Sequence, residues 1–352
     1  MNIHKGKYSK DAETISDKHK RRTVTMKTSR YNRWYWSFSL AAFMLVSGIL
    51  LSNANSWAAE KLRVGQVYVW LGDIPQYVAE AKGYYKEKGV DVELTTFRGG
   101  GEVAAALVGG SVDICIGALD HAIKMKEKGL DVAVILTIQE KLGFTMFARK
   151  GSGIKTLADL KGRILETSAP GSSSDNYMRY LLTLAKLDPL KDVTIVAGGG
   201  NEGRIAALKK GAADAGAVTE PATSIIISEG IGDVLHDGTQ WDYPFNVVII
   251  KRDFLNRNLD QVKGFLEATL QGAKFAKANP QYAEETGLKL FPKSDPNVIR
   301  MAVRNYLPTF SETGIMTEKG FKFVMDLLLA TKTVKGTVPM TPLVDNSLLP
   351  KK

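Results

Sequence analysis

The chain has 352 residues and 44% hydrophobic content, more than one hydrophobic core usually absorbs and too apolar for disorder, so two globular lobes are expected. Its formal charge of +10 suggests a nucleic-acid partner until the charge is located. Residues 1–58 hold ten basic and three acidic residues, net +7, which leaves 37 basic against 34 acidic, or +3, for the rest, so no nucleic-acid partner is expected.

The leader carries Lys27, Arg30 and Arg33, then 14 residues from Phe38 to Leu51 that are almost all apolar or small, short of the ~20 that span a bilayer. Ser56 and Ala58 stand where a signal peptidase reads small residues, which predicts cleavage between Ala58 and Ala59 and export to the periplasm. An uncleaved anchor is the alternative, and Met26 is a second possible start. Cys115, the only cysteine, falls in an apolar strand, so neither a lipid anchor in the leader nor a disulfide is expected.

From Leu62 strands and helices alternate. LRVGQVYV (62–69) reads as a strand, IPQYVAEAKGYYKEKG (74–89) as an amphipathic helix, VDVELTTF (90–97) as a strand, and GEVAAALVGG (101–110) as a short helix. SVDICIGAL (111–119) is a strand, DHAIKMKEKG (120–129) a helix, and DVAVILTIQ (131–139) and FTMFARK (144–150) are strands. Residues 151–162 look like a crossover into a second unit, which continues as strand 163–168, helix 174–187, strand 192–197, helix 202–210, strand 215–220 and helix 221–230. Near 237–246 the chain crosses back into a strand, VVIIKR (247–252), and the remainder is largely helical. This is an α/β chain of mostly parallel sheets covered by helices. The expected organisation is a leader over 1–58, a first lobe over 59–149, a second over 150–245, and a return to the first lobe with C-terminal helices over 246–352.

Two features stand out of this pattern. AALVGGSVD (105–113) and AALKKGAAD (206–214) share A-A-L-x-x-G-x-x-D at an offset of 101, each preceded by three glycines, at 99–101 and 198–200. The second is TSAPGSSSDNYMRYLL (167–182), a strand end, a turn and a helix start, where three serines meet the unpaired first N–H groups of a helix. Taken alone, that serine run is as well read as a helix cap. GGGNEG (198–203) fits a dinucleotide fingerprint in spacing, but the βαβ units that should follow it are missing.

Taken together, YVAEAKGYYKEKGVDVEL (77–94), the GGG at 99–101, ALVGGSVDICIGA (106–118), TLADLKGRI (156–164), the serine segment extended to residue 196, AALKKGAADAGAVTEPATS (206–224) and VDNSLL (344–349) resemble the nitrate/sulfonate/taurine class of ABC-transporter substrate-binding proteins, a group that includes thiamine-precursor binders. The resemblance covers residues 60–350 in order. It implies a type II periplasmic binding fold, two α/β lobes joined by a hinge, closing on a small molecule and delivering it to a membrane permease with a separate ATPase subunit. It implies no cofactor, no metal, no catalysis and a monomer. Two other readings stay open: a ligand receptor for a sensor kinase, and an enzyme of the thiamine-precursor type on the same scaffold.

Five loops follow strands at the positions such a cleft uses. Trp70 and Leu71 form the first, an aromatic wall for a flat ligand, with Asp73 read as the N-cap of the next helix. Gly100 and Gly101 let backbone N–H groups approach a ligand, beside an exposed Arg98. Gly117 and Ala118 offer backbone, with Asp120 as an N-cap and His121 as a solvated helix residue. Gly171, Ser172 and Ser173 open the second lobe, and Glu220, before Pro221, is a cap or a ligand contact.

Overall fold

The computed structural model describes residues 60–350, so the leader and its cleavage site lie outside the described residues. Ten strands form two five-stranded sheets with matching order. In the first, β1 (Leu62–Gln66) pairs in parallel with β2 (Val92–Thr96) and β3 (Ile114–Gly117), and β10 (Asp242–Lys251) lies antiparallel between β3 and β4 (Val132–Lys141). In the second, β6 (Ile164–Thr167) pairs in parallel with β7 (Thr194–Ala197) and β8 (Ala215–Val218), and β5 (Thr145–Arg149) lies antiparallel between β8 and β9 (Gly232–Asp237). The inserted antiparallel strand of each sheet is the one that arrives from the other.

FTMFARK therefore belongs to the second sheet, not the first. The chain first crosses at Leu142–Phe144, ahead of the expected 151–162 segment, which instead holds a short 3-10 turn capped by Thr156 and Asp159. The return crosses at Gly238–Trp241, inside the expected span. The two passages lie side by side and bond to each other, Leu142 N to Trp241 O at 3.4 Å and Gly238 N to Phe144 O at 3.0 Å. They form a two-stranded hinge, with Trp241 packed on His236 and Phe323 at ring separations of 4.5 and 5.3 Å.

The sequence repeat has a structural basis. Leu107 and Leu208 are fully buried, and Gly110 and Gly211 end their helices in the left-handed conformation, φ 79° and 70°, which a side chain disfavours. Asp113 then accepts the Arg63 N–H at 3.0 Å and Asp214 the Ile164 N–H at 3.1 Å. Asp113 thus ties the start of β3 to the start of β1, and Asp214 the start of β8 to the start of β6, at the same offset of 101.

The long helix read over 74–89 is broken at Gly83, whose φ is 76°, into Ile74–Ala81 and Tyr84–Glu87. Its first part packs under the helix Leu259–Ala278, where a Cβ on Gly272 would lie 2.2 Å from Pro75 O, so only glycine permits the approach. Cys115 is fully buried in β3, and burial pushes its thiol up to about 12. Among the described residues no helix is long and apolar enough to cross a membrane.

The helix Pro296–Tyr306 joins the lobes at its end. The Tyr306 hydroxyl donates to Gly143 O in the hinge and accepts from Glu220 N at 3.1 Å, all buried. Tyr306→Phe would leave that N–H and that carbonyl unpaired, so a loss of about 1–3 kcal/mol in chemical denaturation is expected; an unchanged midpoint would show the bond to be dispensable.

Candidate functional site

The carboxyl ends of the strands face a small cavity between the lobes, about 40 Å³, room for no more than a few waters or a small polar group. The first lobe contributes Tyr68 and Trp70 after β1, Gly99 and Gly100 after β2, Gly117, Ala118 and His121 after β3, and Asn246 from β10. The second contributes Ser168 and Ser172–Ser174 after β6, and Phe144 comes from the hinge. Six of the ten residues singled out by sequence line it: Trp70, Gly100, Gly117, Ala118, Ser172 and Ser173.

Four are placed elsewhere. Leu71 is fully buried, its side chain turned toward Gly287 and away from the cavity. Gly101 is exposed on the outward side of its helical turn. Gly171, also exposed with φ 71°, makes the turn before the serines, donating its N–H to Asp175 Oδ2 at 2.8 Å. Glu220 caps its own helix, accepting from Ser224 N and Oγ at 3.0 Å each and from Asn305 at 3.0 Å, and burial raises its carboxyl.

Three helices begin at the cavity, Gly100–Gly109, Leu119–Glu127 and Ser173–Leu184. Ser172 N-caps the last, its hydroxyl accepting from Asp175 N at 3.3 Å, while Ser174 Oγ ties back to Ser168 N at 2.9 Å. The serine run is thus a cap and a cleft wall at once. First-turn N–H groups of these helices have no partner inside their helix, and the three dipoles put partial positive charge on one small volume. Among the described residues no lysine, arginine, aspartate or glutamate side chain lines it. Such a space suits an oxyanion or another polar acceptor.

Trp70 is not a free stacking surface. It is 2% exposed and meets Phe245 and Tyr306 edge-on at 5.4 and 5.8 Å, over a Gly72 whose added Cβ would lie 2.3 Å from the ring. Arg98 is exposed and pairs with Glu102 at 2.8 Å.

Both aspartates read as caps are corrected. Asp73 holds the N-cap position, but its side chain makes no capping bond. It is fully buried beside Asn246 Nδ2 at 3.3 Å, and burial raises its carboxyl well above the usual range against the weaker pull of that bond. For Asp120 the cap position belongs to Ala118. The Asp120 carboxylate is fully buried and reaches across the seam, accepting from Ser173 Oγ at 2.7 Å and Asn176 Nδ2 at 2.9 Å in the second lobe and from Lys124 at 2.8 Å in its own helix. Burial alone would raise it, but the adjacent basic side chains of His121 and Lys124, with the Lys124 and Ser173 bonds, outweigh burial and hold it below the usual carboxylate range. Lys124 also donates to Gly171 O across the seam at 2.9 Å.

His121, expected in solvent, is 7% exposed and lines the cavity. A Cβ on Gly100 would fall 2.3 Å from its ring, so glycine at 100 is what admits the imidazole. Its Nδ1 has no hydrogen-bond partner and lies 3.6 Å from Asp120 Oδ1. Burial lowers its pKa below 6.5; Asp120 opposes the shift and Lys124 adds to it. Nothing in a one-helix pattern signals this, because the pocket for the ring is made by a missing side chain 21 residues upstream.

The family description "NMT1/THI5 like" matches residues 72–283, more than half of the chain. This chain belongs to the NMT1/THI5-like family. Among relatives, YtlA of Bacillus subtilis, named as a binding protein, is 23% identical over 328 residues, covering 91% of this chain and 98% of its own. A 4-amino-5-hydroxymethyl-2-methylpyrimidine phosphate synthase of Legionella pneumophila is 22% identical over 296 residues, 78% of this chain and 88% of the enzyme. Among solved structures, the alkanesulfonate-binding protein SsuA of Xanthomonas axonopodis, bound to MOPS, superposes with a TM-score of 0.70 at 19% identity, covering 81% of this chain and 98% of that one. The NMT1/THI5-like chain therefore has the two-lobed type II periplasmic binding fold that its motifs implied.

Asp120→Asn would turn a donor toward Asn176 or Lys124 and is expected to cost the closed form on the order of 3 kcal/mol. The check is a lower melting temperature with a larger radius of gyration in small-angle scattering; an unchanged radius would mean that the seam is held elsewhere.

Proposed function

We propose that this protein is the exported solute-binding component of an ATP-driven importer, capturing a small anion between its lobes. The observation that carries the reading is the convergence of helix starts from both lobes on one cavity beside a two-stranded hinge. Closure is favoured by a solute only if it binds the closed form better than the open one, and contacts from both lobes meet that condition. Hydroxyls and N–H groups around a space of about 40 Å³ suit an oxyanion head group, and the alkanesulfonate relative supports a sulfonate as the first candidate. The exported chain would be a periplasmic monomer after removal of its leader, docking on a membrane permease served by a separate ATPase. The likeness to the Legionella synthase supports a second reading, turnover of a pyrimidine precursor on this scaffold.

Thermal-shift titration with methanesulfonate, taurine and nitrate tests the first reading, and mass spectrometry for a released 4-amino-5-hydroxymethyl-2-methylpyrimidine phosphate tests the second. Ser172→Ala with Ser173→Ala should weaken binding at least tenfold, while the lost cap and the Asp120 donor lost with Ser173 lower the apo melting temperature by about 2–4 °C per kcal/mol, and Ser172→Ala alone isolates the cap. Loss of stability without loss of affinity would return the serines to capping alone.

A further inference from the structure

Among the described residues the cavity wall holds one imidazole, His121, and its Nδ1, like the indole N–H of Trp70 beside it, has no bonding partner. His121 is nine-tenths buried, lines the space where the three helices begin, and leaves Nδ1 unbonded. The groups around it account for its empty-state charge. Its own helix presents the ionised Asp120 at 3.6 Å and, on the far side of that carboxylate, Lys124. Strand β3 presents the Cys115 thiol, neutral through burial, and β10 presents Tyr243, a buried phenol also held neutral. The helix Gly100–Gly109 presents bare backbone, its nearest charges, Arg98 and Glu102, being paired with each other at the surface. The second lobe presents Ser173, already donating to Asp120.

We infer that solute capture here is proton-linked: an oxyanion seated at the three helix starts is met by a protonated His121, so that one proton enters the cleft with each anion. The inference rests on the solute-binding reading above and adds its regulation. In the empty cleft burial disfavours the imidazolium, and Asp120 is already satisfied by its three donors. An arriving anion adds a second negative charge beside the ring, and the imidazolium gains both an acceptor in the cavity and Asp120 at its back. The free protein's His121 titrates below 6.5, and the bound anion raises that value. Between the two values binding takes up a proton, so affinity increases as pH falls, by up to about tenfold per pH unit. Above the bound value affinity is low and independent of pH.

The test is tryptophan-fluorescence titration of the exported protein with sodium methanesulfonate and with sodium nitrate, from pH 5.5 to 8.0 in buffers free of sulfonates. The wild type should bind more weakly as pH rises, and His121→Gln, which cannot charge, should bind weakly with a flat profile. Imidazole NMR of the wild type gives an independent readout that needs no variant: the His121 resonance should titrate at higher pH with methanesulfonate present than without. Binding with a flat wild-type profile, or with the same slope in His121→Gln, overturns the proton linkage and leaves solute binding intact. No saturable response to either anion at any pH overturns the anion reading and this inference together.

Discussion

The Asp120 carboxylate has no exposed surface, and a buried charge of that kind is tolerated only when donors surround it. Lys124 comes from its own helix, but Ser173 and Asn176 belong to the second lobe, and Lys124 in turn reaches Gly171 there. Closing the cleft therefore brings the second lobe's donors onto that charge. In an open form water would take the place of Ser173 and Asn176, which keeps the difference between the two forms modest and lets a small solute decide it. The hinge fixes where the lobes can turn, and Tyr306, bonded to both Gly143 and Glu220, fixes how the second lobe sits against the C-terminal helices.

Much of this was legible before any coordinates. The offset of 101 was visible because each matching position has a local duty: a leucine fills the core, a glycine turns left-handed at the helix end, and an aspartate ties two strand starts. The serine run was legible for the same reason, since a cap depends on residues only three apart. Other features were not legible because they are tertiary. The residues of β5 announce a strand but not its neighbour, and partnership with β8 and β9 puts it in the second lobe. The edge strand β9 was hidden by a half-exposed mixture of residues.

Asp73 and Asp120 look alike in sequence, each beside a helix start, and both were read as caps. Folding gives neither a capping bond and opposite electrostatic states: Asp73 is raised by burial among neutral amides, whereas Asp120 is lowered beside His121 and Lys124. His121 was missed because its environment is created by the absence of a side chain at Gly100. These errors cluster at the cleft, where groups are held in positions that local preference would not choose.

In the function proposed here, the cleft draws an anion with no lysine or arginine side chain on its wall among the described residues, through backbone dipoles that need no reorganisation and an imidazole that gains its proton with the anion. A fixed cation would hold an anion in the open and closed forms alike, while N–H groups from two lobes hold it only when closed. The most direct test of that account is a crystal structure of the protein with methanesulfonate at pH 6. The account predicts the sulfonate between the starts of the Ser173–Leu184 and Leu119–Glu127 helices, bonded to both lobes and to His121; density on one lobe alone, or outside this space, would contradict it.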